Sequence, residues 1–121
     1  MLVQFMLKNV LSFKEETVLD MTAVQAYKEH ESNLIDYGTK EKFLRVAAIY
    51  GANASGKSNL YLAVRYFQQI IIDSLNSGMV PAIKEYYIPF SFEEHHENSE
   101  FEISVITEDF EYRYGYEYNA E

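Results

Sequence analysis

Gly51-Ala-Asn-Ala-Ser-Gly-Lys57-Ser58 is the stretch on which the reading of this chain turns. It fits G-x-x-x-x-G-K-[ST], a phosphate-binding loop, and the pattern counts when a strand precedes it and a helix follows. Upstream, Phe43-Leu-Arg-Val-Ala-Ala-Ile-Tyr50 is mostly apolar and predicts a buried strand. Downstream, Asn59 to Asn76 predicts an amphipathic helix. Residues 43–76 are thus expected to form strand, loop and helix in succession. The plainer alternative is a Gly-rich turn that opens a helix and binds nothing. Flanks of the right kind on both sides favour the phosphate reading.

The residue types have physical reasons. Gly51 and Gly56 lack a Cβ, so the loop can take backbone angles closed to other residues and approach a ligand closely. Its N–H groups would point at phosphate oxygens, and the helix start adds unpaired donors and the positive end of a dipole. Lys57 would reach the β- and γ-phosphates, and the Ser58 hydroxyl would ligate Mg²⁺. The candidate nucleotide site is therefore Gly51, Ala52, Asn53, Ala54, Ser55, Gly56, Lys57, Ser58 and Asn59, with Ser58 as the candidate metal ligand. The guanine-reading N-K-x-D pattern is absent, which favours ATP over GTP.

Composition narrows the rest. The chain has 121 residues, 48% hydrophobic and 24% charged, enough for one small domain with a real core. There is no cysteine, which excludes disulfides, thiolate catalysis and Cys-type zinc sites. The N-terminus has no basic region followed by a long apolar one, and no stretch has the length of a membrane span. A cytoplasmic protein without a membrane partner is the expectation. Net charge is −9, from 19 acidic and 10 basic residues, and no basic cluster stands out. A nucleic-acid surface needs excess Lys and Arg to neutralise phosphates, so this segment alone is not expected to bind DNA or RNA.

In chain order, residues 3–8 and 16–21 predict an antiparallel hairpin, with Val3, Phe5 and Leu7 on one face and a turn over 9–13. The turn residues Ser12 and Phe13, with Lys14, are candidates to lie near a nucleotide base. Residues 22–42 read as a polar loop with one helical turn near Ala23 to Tyr27. His30, between Glu29 and Glu31, reads as solvated rather than as a metal ligand. On the long helix, Leu60, Ala63, Val64, Phe67, Ile71, Ser74 and Leu75 form a stripe at three- and four-residue spacing. Asn76-Ser-Gly78 is the stop. Ile70-Ile-Ile-Asp73 imitates a Walker B strand, but it starts too soon after Ser58 for a crossover between parallel strands. Asp73 is therefore placed on the exposed helix face.

Met79 to Ile83 reads as a connector, and Glu85 to Phe92 as an extended segment broken at Pro89. His95 and His96 are adjacent amid glutamates, and adjacent side chains diverge, which argues against a metal site. Residues 100–118 predict a hairpin turning at Glu108-Asp109. That register places Val105 opposite Tyr112, Ile103 opposite Tyr114 and Phe101 opposite Tyr116 on one face. Glu102 and Ser104 then lie beside Arg113 on the other. The tyrosine row reads as a half-buried core or interface face rather than a base-stacking platform.

Three stretches together carry a resemblance: Phe5-Met-Leu-Lys-Asn-Val-Leu-Ser-Phe-Lys14, Ala48-Ile-Tyr-Gly-Ala-Asn-Ala-Ser-Gly-Lys-Ser-Asn-Leu60 and Tyr112-Arg-Tyr-Gly-Tyr116. The chain resembles the N-terminal part of an ABC-type ATPase, in the branch of SMC, RecF and OLD-like proteins. It is most similar to the prokaryotic AAA15-type ATPases, several of which belong to abortive-infection and other anti-phage systems. Ala54 stands where many relatives carry glycine. The resemblance implies an α/β P-loop NTPase lobe with an attached antiparallel β-sheet, binding ATP and Mg²⁺. It also implies a Q-loop, a signature motif, a Walker B Asp with a catalytic Glu and a switch His, none of which has a counterpart here. The expectation is an incomplete ATPase domain, its partner the C-terminal half of the same protein. Head-to-head homodimerisation and hydrolysis would belong to the whole, whose binding to nucleic acid stays open. A non-catalytic interaction module with a vestigial loop is the remaining alternative.

Overall fold

A computed structural model of the chain describes residues 1–77, 80–92 and 97–120. Six strands and one long helix are present among them: β1 (Leu2–Lys8), β2 (Thr17–Asp20), β3 (Leu34–Asp36), β4 (Lys42–Leu44), α1 (Lys57–Ser77), β5 (Ser99–Thr107) and β6 (Phe110–Tyr118). Short 3-10 turns cover Glu31–Asn33 and Val80–Tyr86.

The main sheet has the order β2-β1-β5-β6, antiparallel throughout. In β1 the alternation Val3, Phe5, Leu7 is buried and the intervening residues are less so. The β5–β6 register is the expected one, with Val105, Ile103 and Phe101 opposite Tyr112, Tyr114 and Tyr116. The turn residues Glu108 and Asp109 both have positive φ, 51° and 67°, the pattern of a type I′ turn that matches strand twist. On the far face Arg113 Nε lies 3.6 Å from Glu102, and the Ser104 hydroxyl donates to Glu111 at 2.6 Å.

Helix α1 packs across the near face. Ala63, Phe67 and Ile70 are buried, with Leu60, Val64 and Ile71 beside them. Phe67 stacks flat on Tyr116 at 5.6 Å and meets Phe5 and Phe101 edge-on at 5.5 and 5.7 Å. Such aromatic pairs add to area burial. The stripe differs from its expected course in the second half of the helix, where Ile70 is in the core and Leu75 is 80% exposed. Asp73 is half-buried rather than exposed, accepting from Gln69 Nε2 at 2.9 Å and from the Tyr86 hydroxyl at 3.2 Å. The helix ends at Ser77, and the expected stop at Gly78 lies outside the described residues.

Other expectations change with the tertiary context. The strand expected over 43–50 is confined to Lys42–Leu44, where it pairs antiparallel with β3. Val46, Ile49 and Tyr50 are 68%, 48% and 90% exposed. An apolar run becomes a buried strand only with neighbours on its edges and faces, and no described strand pairs with 46–50. Strand β3 was hidden in a segment that reads as polar loop. The helical turn expected near Ala23 to Tyr27 is a single turn closed by Tyr27 N–H to Val24 O. The extended segment expected over 85–92 is instead 3-10 through Tyr86 and irregular over 87–90. Tyr86 docks on Tyr66, and Tyr87 on Tyr118, at 5.6 and 6.0 Å. These ring contacts hold the chain against the core rather than in a ladder.

Candidate functional site

The site is built where the 51–56 loop enters α1. Ala54 and Gly56 both have positive φ, 63° and 93°. This left-handed backbone is free for glycine and strained for alanine. A Cβ at Gly51 would stand 2.5 Å from Ser55 Oγ, so any larger residue there would push the Ser55 hydroxyl aside. Leu60 N–H already bonds to Gly56 O at 3.0 Å, which marks the start of the helix. The N–H groups ahead of it are the unpaired donors of a first turn.

Lys57 lies back over the loop. Its Nζ donates to the carbonyls of Gly51 and Ala52, the latter at 2.6 Å, and to Ser55 Oγ at 3.3 Å. A depression of about 340 Å³ is lined by Asn53, Ala54, Ser55, Gly56, Lys57, Ser58 and Asn59, together with Ser12. Among the described residues its lining carries one cation and no carboxylate, in a chain of net charge −9. A larger depression, about 640 Å³, lies on the far face of the sheet beside Gly115, lined by Glu100, Glu102 and Glu117 with Arg113. The loop is the better anion site on chemistry, since carboxylates repel phosphate.

Ser12 comes from the turn after β1, far away in sequence. Asn59 Nδ2 donates to Ser12 Oγ at 2.9 Å, and a Cβ at Gly56 would meet Ser12 Oγ at 3.3 Å and Phe13 Cζ at 3.8 Å. The structure thus brings the sequence-predicted Ser12 and Phe13 to the loop. Lys14 closes the same turn through its carbonyl, which accepts from Asn9 N–H at 3.1 Å. Asn9 anchors the turn: buried, at φ 52°, it accepts from Phe90 N–H and donates through Nδ2 to the carbonyl of Glu97. Sequence reading passed over Asn9. Its signal was an amide residue in a strand-to-turn position, where Asn tolerates positive φ.

The donor set fits a polyphosphate: main-chain N–H groups, an ammonium and a glycine at φ 93° that keeps the cradle clear of side chain. Of the three hydroxyls that line it, those of Ser12 and Ser55 accept from Asn59 and Lys57, which leaves Ser58 as the candidate Mg²⁺ ligand, and such an ion takes its other ligands from phosphate oxygens and water. His30 belongs to no metal-binding cluster among the described residues. His95 and His96 lie outside the described residues.

Residues 46–121, which contain the whole loop, match a family model described as "AAA domain, putative AbiEii toxin, Type IV TA system". The chain belongs to this AAA-domain family. Membership supports a P-loop ATPase-like, nucleotide-binding protein in general terms. The match takes in the loop, α1 and the β5–β6 hairpin, while Ser12 and Asn9 lie outside it. No curated protein and no solved structure matches the chain. No helix among the described residues is long and apolar enough to cross a membrane.

Proposed function

We propose that this AAA-family chain binds ATP and Mg²⁺ as the phosphate-holding lobe of a larger ABC- or SMC-like ATPase of the AAA15 type. The observation that carries this is the cradle itself. A left-handed Gly56, a lysine at the first helical position and a depression with no carboxylate among its described lining residues meet at the start of α1. Lys57 would exchange its loop carbonyls for the β- and γ-phosphates, and Ser58 would hold Mg²⁺. Residues 51–59 form the nucleotide site.

Hydrolysis needs a positioned water and a second carboxylate on the metal. In this proposal they come from the C-terminal half of the same ATPase, which also covers the exposed Val46, Ile49 and Tyr50. Two such heads would close on nucleotide as a homodimer. The family's description, with its toxin and toxin–antitoxin terms, favours a role in anti-phage defence.

Calorimetric titration of ATP–Mg²⁺ into the wild-type chain and Lys57→Ala tests the site. Binding to the wild type alone is expected, with little or no hydrolysis by the isolated chain. A folded wild-type chain that binds no nucleotide would overturn the proposal. GTP–Mg²⁺ titrated in parallel decides the nucleotide, and weaker binding than ATP is expected.

A further inference from the structure

We infer that the base of the bound nucleotide lies in a cleft between the 10–13 turn and the 88–92 segment, stacked on Phe92. This rests on the phosphate-loop proposal above and extends it. A second depression, about 280 Å³, opens beside the loop and shares Ser12 and Asn59 with it. The two together have the size of a small-molecule site, about 300–1,000 Å³.

Chemistry changes along the line that joins them. The loop end offers main-chain donors and Lys57. The far end is lined by Leu11, Ile88, Phe90 and Phe92. The shared wall between them is the Asn59–Ser12 hydrogen bond. A nucleoside triphosphate has the same order: charged at one end, polar through the sugar, flat and weakly polar at the base. Among the described residues none that is charged lines the far end.

The walls are tied together, which a binding cleft requires. Leu11 N–H bonds to Ile88 O at 2.8 Å, and Phe90 N–H to Asn9 Oδ1 at 2.9 Å. Phe90 holds Phe92 by a tilted ring contact at 5.6 Å. Phe92 is nevertheless 90% exposed and Ile88 36%. Phe92 and Ile88 continue the apolar lining of Leu11 and Phe90 to the surface, and a contiguous apolar patch, unlike a single exposed side chain, marks a binding feature. Base–aromatic stacking uses such a face and tolerates any base.

The test compares two probes on the full chain: Mg²⁺–ATP and Mg²⁺–tripolyphosphate, which has the phosphates and no base. Phe92→Ala is expected to weaken ATP roughly tenfold, with tripolyphosphate binding unchanged. Phe92→Tyr, which keeps a ring, should restore ATP affinity. The side chain is exposed, so neither variant should alter the thermal melt. Equal ATP affinity in wild type and Phe92→Ala, with Lys57→Ala still abolishing both ligands, would overturn the base cleft alone. A wild type that binds neither probe would overturn the phosphate site and the cleft with it.

Discussion

Gly56 shows why a phosphate loop tolerates so little change. Its φ of 93° lies where an L side chain is strained, and an added Cβ would press on Ser12 Oγ at 3.3 Å. Gly56→Ala should therefore lose roughly 1–2 kcal/mol of stability from the backbone alone. It should also lose nucleotide affinity, as the loop moves off the Ser12 turn. Urea unfolding together with ATP titration checks both. Ala54 at φ 63° already bears strain of this kind, and the loop retains it where a glycine would be relaxed. Lys57 differs from both, since its own geometry is ordinary and its interest lies in its partners. Two carbonyls and a hydroxyl hold the ammonium over the loop.

Among the elements, the β5–β6 hairpin is where local sequence and local geometry agree least. Glu108 and Asp109 form a two-residue turn with both φ positive, a shape favoured by Asn-Gly. The hairpin closes here because nine consecutive pairs align the aromatic face, not because the turn prefers its shape. Replacing Glu108→Asn with Asp109→Gly should raise stability by about 1 kcal/mol, read as a higher denaturant midpoint at unchanged m. Helix α1 depends on the same face. Its central Phe67 contacts four rings across three strands, Phe5, Phe101, Tyr114 and Tyr116, so helix and sheet form one cooperative unit.

Taken whole, the described residues form a four-stranded sheet, a two-stranded one and an apolar segment outside both. Val46 N–H is held by Asn33 Oδ1 at 2.9 Å, whereas residues 47–50 belong to no ladder among the described residues. Amide exchange at 47–50 should therefore be fast, and that of β1 and β5 slow. Exchange mass spectrometry reads both, and protection of 47–50 in the isolated chain would contradict the exposed arrangement. The alkaline limit of stability follows from the core tyrosines. Burial pushes the Tyr116 hydroxyl far above its usual value of 10.0, reinforced by the Tyr118 and Tyr114 hydroxyls. Burial does the same to Tyr118. Their folded pKa values lie above the unfolded one. The stability they confer is fully present below pH about 10 and declines as pH rises past it, because only the unfolded chain then ionises freely. Tyr118→Phe should flatten this alkaline arm in pH-dependent melts, and an unchanged slope would assign it to general charge repulsion.

The 51–58 spacing, the periodicity of α1 and the register of 100–118 were all legible because each depends on neighbours a few residues apart. Glycine angles, a 3.6-residue stripe and a two-residue alternation are local rules, and they placed the loop at the start of α1, though not at the end of a strand. They could not place Ser12 against Gly56 or Asn9 beneath Phe90, since those contacts join segments that no period relates. They also misread Val46 to Tyr50. Apolar composition records that a segment is suited to burial, but a strand exists only when other strands offer it hydrogen bonds. The short β3–β4 pair reverses the lesson: a polar stretch becomes strand because Phe43 and Met21 are buried beside it and the backbone groups find partners. Residue chemistry therefore singled out the loop and the ligand class proposed for it. Which surfaces meet around it was decided by packing between distant segments, where pairing and burial are properties of the assembled chain rather than of any stretch within it.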